Sequence, residues 1–257
     1  YRKAFSYQKK EGIRTFIRFD GVYMDSKVYV NGALAGEWKY GYSAFMFDIT
    51  DLVKDGENII TVRVDHHSPN SRWYSGAGIF RKVWLCESPE IRFGNDGIYI
   101  TTSKQEDGWL VTVNAEMLRP VGTPLGGIRI RNTIFDKDGK EVASYESDAC
   151  GADISCIPEA VRVKGVSYSL TAQTMTVKDP ELWDITSPVL YTMVSEILVD
   201  GGCVQRVSQK FGFRTIKFKC DSGFYLNGRH VKLHGSCEHH DNGCLGAVSN
   251  PAAIRRR

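Results

Sequence analysis

The sequence predicts an all-β chain: a jelly-roll-type sandwich, then an immunoglobulin-like β-sandwich, then the first β/α element of a TIM barrel. Three observations predict it. Short runs alternate apolar and polar residues between turn residues from Ile13 onward, the pattern of half-buried strands. Ser88-Pro89 interrupts that series, since a proline removes a ladder donor and starts a connection. The last stretch reads as a strand, a polar loop and the start of a helix.

The first strands follow one another closely. Tyr1-Arg2-Lys3-Ala4-Phe5 is already strand-like, Thr15–Phe19 and Ser26–Val30 alternate, and Asn31-Gly32 is a hairpin turn, because both residues tolerate the left-handed region that a tight turn requires. Ala44–Ile49 is the next strand, Asp51-Leu52-Val53 a single turn, Gly56-Glu57-Asn58 another, and Ile59–Asp65 a further strand. Phe80–Leu85 closes this sandwich or jelly roll.

After the break, strands are expected at Gly97–Ile100, Trp109–Val113, Ile128–Phe135, Ser167–Val177 and Leu190–Val199. Asp136-Lys137-Asp138-Gly139-Lys140 and Asp200-Gly201-Gly202 are hairpin turns by composition. About seven strands in this length is what an immunoglobulin-like sandwich requires. Near the end, Asn227-Gly228 separates two apolar runs between Gly223 and Gly235, and the polar cluster Ser236-Cys237-Glu238-His239-His240-Asp241 follows. Ser249 or Asn250 can then cap a helix with Pro251 at its first position.

Composition narrows the function classes. A chain of 257 residues accommodates two small domains. The net charge of +3 includes Arg255, Arg256 and Arg257 on one helical turn, and no basic stripe runs along a face, so no nucleic-acid partner is expected. Seven cysteines, Cys86, Cys150, Cys156, Cys203, Cys220, Cys237 and Cys244, include no CxxC pair. Free thiols are the preferred reading, with Cys150–Cys156 the pair to consider in an oxidising compartment. Neither a membrane span nor a signal peptide is read in the chain, so the expectation is a soluble protein, periplasmic or cytoplasmic, with no membrane partner.

Three stretches together resemble glycoside hydrolase family 2. Arg72-Trp73-Tyr74-Ser75-Gly76-Ala77-Gly78-Ile79-Phe80-Arg81-Lys82-Val83-Trp84-Leu85 is similar to the motif closing the family's sugar-binding domain. Asp179-Pro180-Glu181-Leu182-Trp183 with Pro188-Val189-Leu190-Tyr191 is similar to the late part of its immunoglobulin-like domain. Gly235 through Gly246, with the wording Glu238-His239-His240-Asp241, looks most like the β-galactosidase branch. The resemblance implies a galactose-binding-like jelly-roll domain over 1–88 with its first strands missing, an immunoglobulin-like domain over 89–213, and the start of a (β/α)8 barrel over 214–257. It implies a retaining β-glycosidase acting on a β-galactoside oligosaccharide or glycoconjugate, in a family whose enzymes are often homo-oligomers.

Retaining glycosidases need two carboxyl groups about 5–5.5 Å apart. The resemblance puts both glutamates on later barrel strands, so none is expected here, and the chain alone is expected to be inactive. Glu238 would sit on the wrong barrel element for either role. What the chain supplies is the C-terminal end of the first barrel strand, the end that faces the active site in such barrels. His239 is the residue that the resemblance places against substrate, where an imidazole can donate to a sugar hydroxyl; the alternative is a histidine satisfying a backbone carbonyl. His240 is a weaker substrate-binding candidate, since adjacent residues on an extended segment point opposite ways and one of the two histidines is then structural, and Asp241 either lines the pocket or stabilises the Asn242-Gly243 turn. Arg72 and Trp73 belong to a loop that in the family reaches the barrel mouth, where a guanidinium can orient hydroxyls and an indole can stack on a sugar ring. Some galactosidases carry an acidic residue near this place, so Arg72 departs from that pattern.

Cys237, His239, His240, Asp241 and Cys244 are metal-ligand types without zinc-site spacing, and no cofactor or metal is assigned, although some relatives bind magnesium or sodium. The alternatives are a β-glucuronidase or β-mannosidase of the same family, a free-standing carbohydrate-binding module, and, more distantly, a metal-binding regulatory protein.

Overall fold

The computed structural model describes residues 1–67, 76–150, 165–237 and 242–256. The chain forms two compact units, one of residues 1–88 with 236–257 and one of residues 89–235. Among the described residues, no helix is long and apolar enough to cross a membrane.

The first unit is built from β1 (Arg2–Tyr7), β2 (Ile13–Phe19), β3 (Val22–Tyr23), β4 (Ser26–Val30), β5 (Ala33–Trp38), β6 (Phe45–Asp48), β7 (Gly56–Val64), β8 (Gly78–Ile79) and β9 (Val83–Pro89). They form a four-stranded sheet ordered β1-β7-β4-β5, a three-stranded sheet β6-β2-β9 and the small β3-β8 pair. β4 shows why the fold forms: Ser26, Val28 and Val30 are buried while Lys27 and Tyr29 are half-exposed. Its inward side chains join Ile17, Phe19, Val22, Phe45, Ile49, Val53 and Val62 in one core.

Asn31 and Gly32 both take positive φ, 52° and 88°, the geometry of a turn whose twist matches the flanking strands. Two sequence expectations shift. Gly56-Glu57-Asn58 begins β7 rather than forming a turn, because β1 pairs along its whole length down to Tyr7 opposite Gly56. Phe80–Leu85 is not one strand: β8 pairs with β3, and the ladder resumes only at Val83. Arg81 leaves the ladder between them, its guanidinium donating to the carbonyls of Asp20 (3.3 Å) and Tyr42 (3.1 Å).

The second unit holds β10 (Arg92–Gln105), β11 (Gly108–Pro120), β12 (Ile128–Phe135), β13 (Glu141–Asp148), β14 (Val166–Val177), β15 (Tyr191–Val199) and β16 (Gly202–Phe211). They pack as a β10-β11-β14 sheet and a β13-β12-β15-β16 sheet, the layered arrangement expected of an immunoglobulin-like sandwich. Its core runs from Val111, Val113 and Met117 through Ile130, Ile134, Met193 and Ile197 to Phe213.

A meander of β17 (Ile216–Lys219), β18 (Gly223–Leu226) and β19 (Arg229–His230) follows. The Asn227-Gly228 turn joins β18 to β19, but the second apolar run pairs only at Arg229 and His230; Val231 through Cys237 are not in a strand. A 3₁₀ turn at Gly243–Leu245 and helix α1 (Pro251–Arg256) complete the described chain. Asn250 is the cap of α1: its Oδ1 accepts the amides of Ala252 (2.9 Å) and Ala253 (3.3 Å), and Pro251 has no amide to satisfy.

Candidate functional site

Arg72, Trp73, His239, His240 and Asp241, with Glu238, lie outside the described residues. The segments that launch and receive both loops are described, and all of them belong to the first unit. They converge. A β-carbon built on Gly76 would stand 3.0 Å from that of Ala247, and the Ser249 amide donates to the Phe80 carbonyl at 2.8 Å. The exit of the Arg72 loop therefore runs beside the segment that follows His239-His240-Asp241.

An aromatic floor supports this junction. The buried ring of Tyr23 lies 5.0 Å from Tyr42 and 5.8 Å from His66, and Tyr42 is edge-on to Phe80 at 6.1 Å. Gly41 permits the closeness, because any β-carbon there would enter the Tyr23 ring at 2.1 Å. His67 meets Asp25 at 3.2 Å just before the loop departs. On the other side, Asn242 closes its segment twice, donating its amide to the Gly246 carbonyl (2.9 Å) and its Nδ2 to Val248 (3.0 Å). Sequence reasoning did not single out Tyr23, Tyr42 or His66. The signal available was Gly41-Tyr42, a glycine where a ring needs room.

A cavity of about 590 Å³ lies between this sandwich and α1, lined by Asp20, Arg81, Lys82, Trp84, Ile254 and Arg255. Asp20 is a held anion. The Trp84 indole donates to its carboxylate at 2.8 Å, and that bond first, then Arg18, brings its pKa below the ordinary carboxylate range. Such a group is ill-suited to proton transfer near neutrality. Glu116, in the second unit, is the opposite case: burial pushes its carboxyl up.

The cysteine thiols at positions 86, 150, 203, 220, 237 and 244 are free, and Cys156 lies outside the described residues. Among the described residues, no three His, Cys, Asp or Glu side chains gather as a cation site.

Comparison with known proteins identifies the family. Residues 1–89 match the family described as "Glycosyl hydrolases family 2, sugar binding domain" and residues 95–214 match "Glycosyl hydrolases family 2". The chain is 41% identical over 259 residues to beta-galactosidase BoGH2A of Bacteroides ovatus, covering all of this chain and 29% of that protein. It is 31% identical over 271 residues to a beta-glucuronidase of Bacteroides fragilis, covering 98% of this chain and 36% of the relative. A crystal structure of a glycosyl hydrolase family 2 member from Bacteroides cellulosilyticus superposes with a TM-score of 0.84 at 33% identity, covering 99% of this chain and 32% of that one. The chain thus spans about a third of the length of these relatives. Two family matches in consecutive order over two β-sandwiches establish that the chain belongs to glycosyl hydrolase family 2.

Proposed function

We propose that this chain is the N-terminal part of a retaining β-glycosidase that hydrolyses terminal β-galactosides. In this reading residues 1–88 are the galactose-binding-like domain, 89–213 the immunoglobulin-like domain and 214–257 the opening of the catalytic barrel. His239 donates to a sugar hydroxyl, Asp241 lines the pocket, and Arg72 and Trp73 approach the same mouth from the sandwich, with His240 turned towards the protein. Both catalytic glutamates belong to later barrel strands, and the chain alone does not hydrolyse glycosides.

The observation that carries this reading is the convergence of Gly76 with Ala247 and of Phe80 with Ser249, which brings the flanks of both motif loops together. The galactosidase relative supports the branch. Val231 through Cys237, outside any strand here, suit a barrel strand, whose ladder partners are other barrel strands.

A β-glucuronidase is the second reading, favoured by the glucuronidase relative and by Arg72, a cation able to hold a sugar carboxylate. A β-mannosidase and a non-catalytic carbohydrate-binding module rank below it. The test is hydrolysis of chromogenic β-galactoside, β-glucuronide and β-mannoside by this chain and by the protein extended through a complete barrel. Cleavage of the galactoside by the extended protein alone is the expected result. Turnover by this chain would overturn the placement of the glutamates, and preferential glucuronide cleavage would replace the branch.

A further inference from the structure

We propose that a cleft in the second unit, walled by the Trp183–Arg214 stack, is a binding site for a carboxylated sugar such as a uronate residue of a glycan. The cleft has a volume of about 630 Å³ and is lined by Thr101, Thr102, Trp183, Leu190, Arg214 and Ile216 among others, a size in the range of small-ligand sites. This goes beyond the glycosidase reading, which rests on residues of the first unit.

The charge on the wall selects the ligand. Among the described residues that line the cleft, Arg214 is the one ionisable side chain, and its guanidinium carbon sits 5.0 Å from the centre of the Trp183 ring. Elsewhere in the second unit Arg229 pairs with Asp184 at 2.6 Å and Lys137 with Asp138 and Glu181 at 2.9 and 3.1 Å, while Lys217 and Lys219 of β17 are not among the residues that line the cleft. Among the described residues that line the cleft, none carries a carboxylate. The planar fork of Arg214 matches a carboxylate with two parallel hydrogen bonds. Leu190 and Ile216 offer apolar surface to the C–H face of a sugar ring, and the two threonine hydroxyls can exchange hydrogen bonds with its hydroxyls.

The wall is also fixed in advance. The Trp183 amide donates to the Phe213 carbonyl at 2.8 Å, and Asn227 Nδ2 donates to the Trp183 carbonyl at 3.0 Å. Asn227 Oδ1 accepts the Thr215 amide at 3.0 Å. Gly212 backs the indole so closely that a β-carbon there would stand 3.0 Å from Trp183 Cβ. A ligand meeting a wall so braced loses little to reorganisation.

The experiment is a titration of this chain, and of the longer enzyme that contains it, with sodium glucuronate, a glucuronate disaccharide and galactose, read by tryptophan fluorescence and by amide chemical shifts. Saturable glucuronate binding is expected, with shifts at Thr101, Thr102 and Arg214 and a weaker response to galactose. R214Q should weaken glucuronate binding by about tenfold or more, as loss of a bidentate charged contact implies, with R214K between it and the wild type. W183F, which keeps a ring in place, should remove the fluorescence change while thermal unfolding stays cooperative. Binding unaffected by R214Q, equal binding of galactose, shifts confined to other residues, or binding by this chain but not by the longer enzyme would each overturn the proposal. Hydrolysis is not the readout, so a wrong glycosidase assignment leaves this test intact.

Discussion

Gly76 lies directly against Ala247: a β-carbon on the glycine would stand 3.0 Å from the alanine methyl. That methyl is anchored to backbone and cannot swing away. Gly76→Val should therefore separate the two segments and strain the neighbouring Ser249–Phe80 hydrogen bond. We expect a loss of about 1–3 kcal/mol in stability, typical of overpacking at a tight contact, and in the longer enzyme a severalfold rise in KM for its glycoside. Chemical denaturation and steady-state kinetics check both parts. A variant with unaltered stability and KM would show that this contact does not position the loops.

Asn250 holds the first turn of α1 through Ala252 and Ala253. A helix of six residues is too short to persist on propensity alone, so its cap matters more than usual. Asn250→Ala should cost about 0.5–2 kcal/mol locally and speed amide exchange at Ala253 and Ile254, while Asn250→Asp should keep the cap. Hydrogen exchange followed by NMR distinguishes the two variants. Equal exchange in all three proteins would assign the helix to packing.

Local grammar made much of the fold legible. Asn31-Gly32, Asp200-Gly201 and Asn227-Gly228 each place two consecutive residues at positive φ, and those dipeptides announce it. The alternation of β4 likewise appears in the burial pattern. Long-range polar pairing left no such trace. Asn132 and Gln173 are buried in strand interiors and bond to each other at 2.7 Å across 41 residues, and neither is predictable from its neighbours. β13 and β16 were less visible because alternate positions of these strands stay partly exposed and carry polar side chains. At the candidate site, motif wording singled out the stretches around Arg72 and His239, but the approach of their described flanks through Gly76 and Ala247 depends on tertiary packing that no periodicity encodes.

Asn58, at the start of β7, ties down the segment that leads into the strand. Fully buried, it donates to the carbonyls of Lys54 (2.7 Å) and Gly56 (3.0 Å) and accepts from the Lys54 amide (2.9 Å) and Asn31 Nδ2 (2.8 Å). Asn58→Ala would leave these groups without partners in a dry site, and buried polar groups so orphaned cost about 1–3 kcal/mol. We expect a loss at the upper end of that range, seen as a lower urea midpoint with an unchanged slope. A much smaller loss would mean that water replaces the side chain.

Glu196 supplies the pH dependence. Its carboxylate is 3% exposed and receives two arginines, Arg131 on Oε2 at 2.7 and 2.6 Å and Arg206 on Oε1 at 2.8 and 2.6 Å. Desolvation pushes its pKa up, but the hydrogen bonds and charges of Arg206 and Arg131 outweigh it, and the net displacement is downward. A carboxyl depressed in the folded state contributes stability above its unfolded value, about 4.3 for glutamate, and that contribution fades as pH falls through the folded value. Glu196→Gln keeps the shape and removes the charge, so it should cost about 1.5–3 kcal/mol at pH 7, the range for hydrogen bonds to charged groups. The gap between wild type and variant should narrow steadily below about pH 4.3, the ordinary glutamate value, because the wild type is then losing what the variant never had. Urea denaturation at pH 7, 5, 4 and 3 measures it, and a gap that stays constant to pH 3 would show that the arginine pair does not stabilise the sandwich through the charge on Glu196.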